Sequence, residues 1–220
     1  KTHDLWFHID GAYGIPAAII PELKALFKGI KEADSIALDP HKWLYSPLEA
    51  GCTLVKNPKH LLDTYSSHPE YYNFSLTEEG GSLNYFEYGL QNSRGFRALK
   101  VWMSIKEHGI KRFGRMIDKN VAQAQYLGIL IKKDKALELI APIGLDIVCF
   151  RYNPGGKSHD ELNDLNKEIK LQLEERAIAL PGYTTLKGMY CIRIAISNHR
   201  STQADFDDLI DQINAIAKTL

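Results

Sequence analysis

Short apolar runs alternate with a helical pattern over the first quarter of the chain. The runs at 5–9, 35–38 and 51–55 have the length of β-strands. The segment 17–27 has the composition of a helix, and Gly29 follows it as a stop signal. This alternation of strand, helix and strand predicts an α/β sheet in which the first strand is parallel and buried.

A longer helical period follows over 96–133, where Gly109 and Gly114 are candidate interruptions. The remaining pattern predicts a strand at 145–152, a helix that Ser158 caps and that runs to Arg176, an alternating strand at 190–197, and a last helix that Ser201 or Thr202 caps. This β-α-β-α order predicts a small C-terminal α/β domain. We place the boundary between the two domains at residues 110 and 111.

The stretch at about 62–90 has neither period. Tyrosines are interleaved there with serines, Pro69 and the pair Gly80-Gly81. A loop of this length in a compact domain is usually functional or mobile, so we predict a mobile loop.

Composition narrows the class of protein. The 220 residues are 45% hydrophobic and 25% charged, with 27 basic and 27 acidic side chains, so the net charge is zero. These values predict a globular protein that binds neither nucleic acid nor a membrane, and no apolar run is long enough for a span. The three cysteines, Cys52, Cys149 and Cys191, fit neither a disulfide framework nor a metal site. They predict reduced thiols and a cytoplasmic location.

The chain opens almost directly on a strand that ends at Asp10. Strands that carry a functional acid at their tip are usually central in an α/β sheet. We therefore expect further residues before Lys1, as a missing N-terminal half of the same protein or as a separate chain.

Asp10 and the pair His41-Lys42 both follow predicted strands. A lysine can hold pyridoxal phosphate (PLP) as an imine, and burial favours the neutral amine that this bond needs. A carboxylate against the ring nitrogen keeps that nitrogen protonated, which makes the cofactor an effective electron sink. The three residues together therefore indicate a PLP site.

Each residue also has a simpler interpretation. Lys42 alone would be a solvated surface lysine, Asp10 a helix cap or an Asx-turn, and His41 a turn histidine bonded to backbone. Trp43 and Leu44 could supply an apolar wall beside Lys42.

The motifs, taken together, resemble those of the group II PLP-dependent amino-acid decarboxylases, which include aromatic-L-amino-acid, glutamate and histidine decarboxylases. The matching segments are, in the family's order, 8–14, 33–35, 39–44, 93–102 and 193–200. The resemblance implies a fold-type I PLP-dependent transferase-like fold and covers only the family's C-terminal half. Residues 1–110 would be the C-terminal part of the large PLP-binding domain, and 111–220 a linking helix and the small domain.

The resemblance also implies roles for individual residues. Lys42 would be the imine lysine, Asp10 the partner of the ring nitrogen and Ala12 a contact on one ring face. His41 would lie beside the phosphate and the imine. Asp39 stands where many members have asparagine, which puts a phosphate contact at this position in doubt.

Further roles follow for the loop and the segment after it. Tyr71 falls where the family has a mobile catalytic loop with a tyrosine that returns a proton to the substrate carbon, and Tyr72 is a rival for this role. Phenylalanine replaces that tyrosine in related aldehyde synthases, so Tyr71 favours decarboxylation. Ser93 and Arg94 would contact the cofactor phosphate or the substrate carboxylate, partly across a homodimer interface. A surface ion pair is the alternative for Arg94.

The implied function is decarboxylation of an L-amino acid, a small-molecule substrate, to the amine and carbon dioxide, with an aromatic amino acid favoured by Trp43 and the tyrosine-rich loop. The alternatives are an acidic amino-acid substrate, an aldehyde synthase, another fold-type I lyase or desulfurase, and a non-catalytic fragment without its N-terminal half. No metal is expected.

Overall fold

The structure is a computed structural model, and it describes residues 3–67 and 84–220. The chain divides into two compact units, Lys1–Ile110 and Lys111–Leu220. We refer to them as the N-terminal unit and the C-terminal unit. None of the helices in the described ranges is long and apolar enough to cross a membrane.

The N-terminal unit contains a three-stranded sheet. Its strands are β1 (His8–Asp10), β2 (Ser35–Leu38) and β3 (Cys52–Val55), in the order β1-β2-β3. β1 runs parallel to β2, as predicted, and β3 runs antiparallel to β2. The carboxyl ends of β1 and β2 therefore lie at the same end of the sheet. The candidate residues Asp10, His41 and Lys42 lie at or just after these strand ends.

The segment between β1 and β2 differs from the predicted helix. It forms three short 3-10 helices, Ile15–Ile19, Pro21–Phe27 and Ile30–Glu32. Ile20 is extended between the first two, with φ −88° and ψ 116°. The following proline causes this break, because it disfavours the α conformation in the residue before it.

The expectation that the first strand is buried is wrong for this chain. Leu5, Trp6 and Phe7 are 69%, 52% and 43% exposed, and β1 begins only at His8. Within the described residues β1 is an edge strand, and the three exposed side chains precede it.

Helices complete the described part of the N-terminal unit. They are α1 (Lys59–Tyr65), a 3-10 turn at Tyr85–Tyr88 and α2 (Arg97–His108). α2 ends at Gly109, whose φ of +72° favours glycine, so the interruption predicted there is confirmed. Helix α3 is continuous through Gly114, so the second candidate interruption is wrong.

The C-terminal unit is an antiparallel sheet with helices packed on it. Its elements are α3 (Ile110–Lys133), β4 (Leu137–Leu139), β5 (Ile147–Tyr152), α4 (His159–Glu175), β6 (Gly182–Leu186), β7 (Met189–Ala195) and α5 (Gln203–Ala217). The strand order is β4-β5-β7-β6. The sequence pattern did not predict β4 and β6.

One apolar core holds the C-terminal unit together. The sheet and the three helices all contribute side chains to this core. Those that are completely buried include Phe150, Ile169, Ile192 and Ile213. The helix starts are capped as predicted. Ser158 and Glu161 form a reciprocal capping box at α4, and Thr202 forms another at α5.

Candidate active site

Backbone hydrogen bonds join the two loops at the carboxyl ends of β1 and β2. The Gly11 N–H donates to the Ala37 carbonyl over 3.0 Å, and the Asp39 N–H donates to the Ala12 carbonyl over 2.9 Å. In the sheet register Asp10 pairs with Ala37. The segment from Asp10 to Ala12 and the start of the lysine loop therefore lie side by side.

Asp10 forms the Asx-turn that was the alternative interpretation of this residue. Its Oδ1 accepts from the Ala12 N–H over 3.2 Å. This turn uses one carboxylate oxygen, and the residue stays exposed at the edge of the sheet. The turn fixes the carboxylate without covering it, so Asp10 remains able to pair with a ring nitrogen. Ala12 is half-buried beside it.

Lys42 lies in a tight turn that begins at Asp39. The Lys42 N–H donates to the Asp39 carbonyl over 2.9 Å, and its Nζ lies 2.7 Å from Asp39 Oδ2. The lysine side chain is 40% exposed, so it is neither fully buried nor a solvated lysine without a partner.

The residues after Lys42 anchor this turn. Trp43 is completely buried and stacks on Tyr13, with ring centroids 5.1 Å apart and planes at 20°. Leu44 is buried as well. Both side chains belong to the core under the loop, so they fix the backbone that carries Lys42.

His41 is held by backbone on one side of its ring. The Ala50 N–H donates to His41 Nδ1 over 3.0 Å, which leaves the Nε2 atom to carry the proton of a neutral ring. Nε2 lies 3.9 Å from Asp39 Oδ2. The ring therefore has a fixed orientation beside Asp39 and Lys42.

A second charged pair lies close to this group. Arg97 binds Glu49 through its Nε and Nη2 atoms. The hydrogen bond and the charge of Arg97 lower the pKa of the Glu49 carboxyl, and Lys100 and His41 lower it further. Glu49 thus remains a carboxylate next to the residue that binds His41.

Arg94 lines a separate cleft of 740 Å³ with Gly51, Tyr85 and Phe96. Lys42, His41 and Asp10 are not among its lining residues, and neither is Ser93. The described residues therefore bring the loop of Asp10 and Ala12 next to the turn of His41 and Lys42, while Arg94 lies in a cleft that none of these four residues lines. Tyr71 and Tyr72 lie outside the described residues.

The pairing of Asp39 with Lys42 was not predicted. In the sequence motifs Asp39 stands out only as a departure from asparagine, although its spacing of three residues from Lys42 is a signal for an ion pair across one turn.

Residues 1–153 match the model of the pyridoxal-dependent decarboxylase conserved domain. The chain belongs to this family. The match includes the loops that carry Asp10 and Lys42, and it confirms the family that the motifs indicated.

Individual members of this decarboxylase family agree with the match. The chain is 38% identical over 219 residues to the aromatic-L-amino-acid decarboxylase of Bacillus atrophaeus, covering 99% of this chain and 46% of that protein. The crystal structure of Oryza sativa TDC with PLP and tryptamine superposes with a TM-score of 0.90 at 26% identity, covering 98% of this chain and 45% of the other. The crystal structure of Rhodiola rosea 4-hydroxyphenylacetaldehyde synthase gives 0.86 at 25% identity, with coverages of 99% and 44%.

These similarities confirm the expected α/β, fold-type I architecture. They also show that the chain spans a little under half the length of the relatives it matches.

The residues at the two strand ends fit PLP, the cofactor of this family. The Lys42 amine and the exposed Asp10 carboxylate lie on neighbouring loops. The His41 ring is held in one orientation by the Ala50 N–H. Lys42 would hold the cofactor and Asp10 would pair with its ring nitrogen.

Proposed function

We propose that the protein is a carboxy-lyase that uses PLP to decarboxylate an L-amino acid, with an aromatic amino acid as the favoured substrate. The placement of Lys42 and Asp10 on adjoining loops, in a chain of this decarboxylase family, carries the proposal. The amine and carbon dioxide would be the products. Similarity to the Bacillus atrophaeus enzyme supports the aromatic preference.

Lys42 would hold the cofactor through its ε-amine, and this amine would be free while the substrate is bound. Bound PLP supplies an electron sink for the bond that breaks. The Asp10 carboxylate would hold a proton on the ring nitrogen, and its Asx-turn keeps the carboxylate in place for this. His41 would contact the cofactor through Nε2, since its Nδ1 is already bonded to backbone.

The remaining predicted residues would contact the cofactor or the substrate. Ala12 would pack on the cofactor ring, while Ser93 and Arg94 would bind the phosphate or the substrate carboxylate. Tyr71 would return a proton to the α-carbon after carbon dioxide leaves. These four roles follow from the resemblance of the motifs.

An aldehyde synthase is the second candidate function. The similarity to the Rhodiola rosea enzyme supports this candidate. The shared fold alone does not distinguish decarboxylation from the oxidative reaction. Tyr71 argues for the decarboxylase, because the resemblance associates phenylalanine at this position with the oxidative reaction.

The protein would act as a homodimer in the cytoplasm, together with polypeptide that corresponds to the N-terminal half of its relatives. The coverage of 46% of the Bacillus atrophaeus enzyme and the exposed apolar side chains at 5–7 support the additional polypeptide. Three free cysteines support a reducing compartment.

Product analysis tests this function. The complete protein, loaded with PLP, is given L-tryptophan, L-tyrosine, L-phenylalanine or L-glutamate, and the amine, aldehyde, ammonia and hydrogen peroxide are measured. We expect an amine from an aromatic substrate. Tyr71→Phe should lose amine production and gain peroxide, while Tyr72→Phe serves as the matched control. Peroxide as the main product of the wild type would contradict the decarboxylase.

A further inference from the structure

We propose that Asp39 is a positioning residue that holds the ε-amine of Lys42 at the place where it meets the cofactor. The inference rests on the proposed function, because it adds a residue to that same site. Its basis is the 2.7 Å distance between Lys42 Nζ and Asp39 Oδ2. A distance this short is that of a charge-assisted hydrogen bond.

The backbone fixes Asp39 relative to both halves of the site. Its N–H donates to the Ala12 carbonyl, and its carbonyl accepts from the Lys42 N–H, each over 2.9 Å. Asp39 is thus bonded at once to the loop that carries Asp10 and to the turn that carries the lysine. The two bonds fix the backbone from which the carboxylate extends.

The carboxylate itself is enclosed on two sides. Its Oδ1 faces Gly51, where a Cβ atom would stand 3.4 Å away, in ordinary van der Waals contact. Its Oδ2 faces His41 Nε2 at 3.9 Å as well as Lys42. Asp39 is 23% exposed, which makes it the less exposed partner of the pair.

The flexibility of the Lys42 side chain explains why a fixed carboxylate beside it would matter. Its four-carbon stem has several free torsions, and ordering them costs conformational entropy. A fixed carboxylate selects one position of the amine each time the amine is free. Asparagine at residue 39 would keep the shape of the side chain but lose the charge that selects this position.

Trace labelling of the cofactor-free complete protein tests the contact. Acetic anhydride is added in trace amounts, and the acetylation of Lys42 is measured by mass spectrometry relative to the exposed Lys24. We expect Asp39→Asn to raise this ratio by roughly threefold to fivefold, because the amine loses an ion pair of ordinary strength. Asp39→Glu, which keeps the carboxylate, should stay closer to the wild type than Asp39→Asn does.

The matched control removes a similar ion pair elsewhere in the N-terminal unit. Lys59 Nζ lies 2.5 Å from Asp63 on the exposed face of α1. Asp63→Asn should raise the labelling of Lys59 and leave the labelling of Lys42 unchanged.

Cofactor capture tests the positioning itself. Complete protein is mixed with PLP, quenched with borohydride at increasing times, and analysed for reduced adduct on Lys42. Asp39→Asn should lower the capture rate, divided by the labelling ratio of Lys42, by roughly threefold to fivefold, because a bound cofactor meets the amine in one position only, whereas the small reagent reaches it from any side. Asp63→Asn should capture at the wild-type rate.

Two results would overturn the role of Asp39. One is unchanged labelling of Lys42 in Asp39→Asn, and the other is a capture rate, divided by the labelling ratio, as high as in the wild type. If Asp39→Asn loses the near-ultraviolet circular dichroism of the wild type, Asp39→Ser takes its place as the neutral variant. A wild type that never captures PLP at Lys42 would instead contradict the proposed function, and the labelling experiment needs no cofactor.

Discussion

The two units differ in where they keep their apolar side chains. The C-terminal unit buries fifteen apolar residues in one core, all between Ala124 and Ile216. The N-terminal unit holds the candidate site but leaves large apolar side chains exposed before β1 and on α2, including Trp6 and Trp102. The large apolar core and the candidate site thus lie in different units.

Paired truncations test this difference most strongly. Phe150→Ala removes a completely buried ring from the C-terminal core and should cost about 3–5 kcal/mol in the free energy of unfolding. Trp102→Ala removes a larger ring that is 58% exposed, and in this chain it should cost less than about 1 kcal/mol. Urea unfolding followed by circular dichroism measures both variants. Equal costs would show that the two units do not differ in this way.

Asp10→Asn tests the chemistry assigned to the N-terminal unit. The variant should lower decarboxylation by roughly a hundredfold, since the carboxylate no longer raises the pKa of the ring nitrogen. PLP should still be captured at Lys42, and the unfolding midpoint should change little because Asp10 is exposed. Asp63→Asn, an exposed acid on α1, is the control. Activity within twofold of the wild type would remove Asp10 from the site.

Ser158→Ala should lower the stability of the protein without changing its activity, which is the opposite of the result expected for Asp10→Asn. Ser158 Oγ accepts from the Glu161 N–H over 3.3 Å at the start of α4. Losing this cap should cost about 1 kcal/mol in unfolding free energy. The product yield of the complete protein at 25 °C should not change. A loss of activity with unchanged stability would contradict the separation of roles between the units.

The smallest expected effect is a pH dependence at the same cap. Hydrogen bonds from the Ser158 side chain and backbone lower the pKa of Glu161 below its usual value of 4.5. A carboxyl with a depressed pKa stabilises the folded state above its unfolded pKa, and this contribution is lost as the pH falls through the folded pKa. Glu161→Gln should therefore reduce the loss of thermal stability between neutral pH and strongly acidic pH. Glu22→Gln, at an exposed glutamate of the N-terminal unit, is the control substitution.

Local signals in the sequence were sufficient for much of the fold. Ser158 with Glu161 three residues later marks the start of α4, and the apolar period predicts α3 and α5. β4 and β6 were not predicted because neither carries a clear apolar run. The exposure of β1 was not predictable either, because it depends on which strands stand beside it.

The site was predictable to a similar degree. Two strand ends on a parallel pair place Asp10 near Lys42, and this follows from strand order alone. The ion pair between Asp39 and Lys42 depends on the exact turn of the backbone, which spacing indicates but does not fix. The Ala50 bond to His41 joins residues nine positions apart and has no local signal.

Reduction of the PLP-loaded protein with borohydride, followed by peptide mass spectrometry, tests the central claim most directly. The complete protein is used, with Lys42→Arg as the control. We predict a reduced pyridoxyl adduct on Lys42, in stoichiometric amount, and no adduct at a defined position in the control. An unmodified Lys42 in a fully loaded protein would contradict the account.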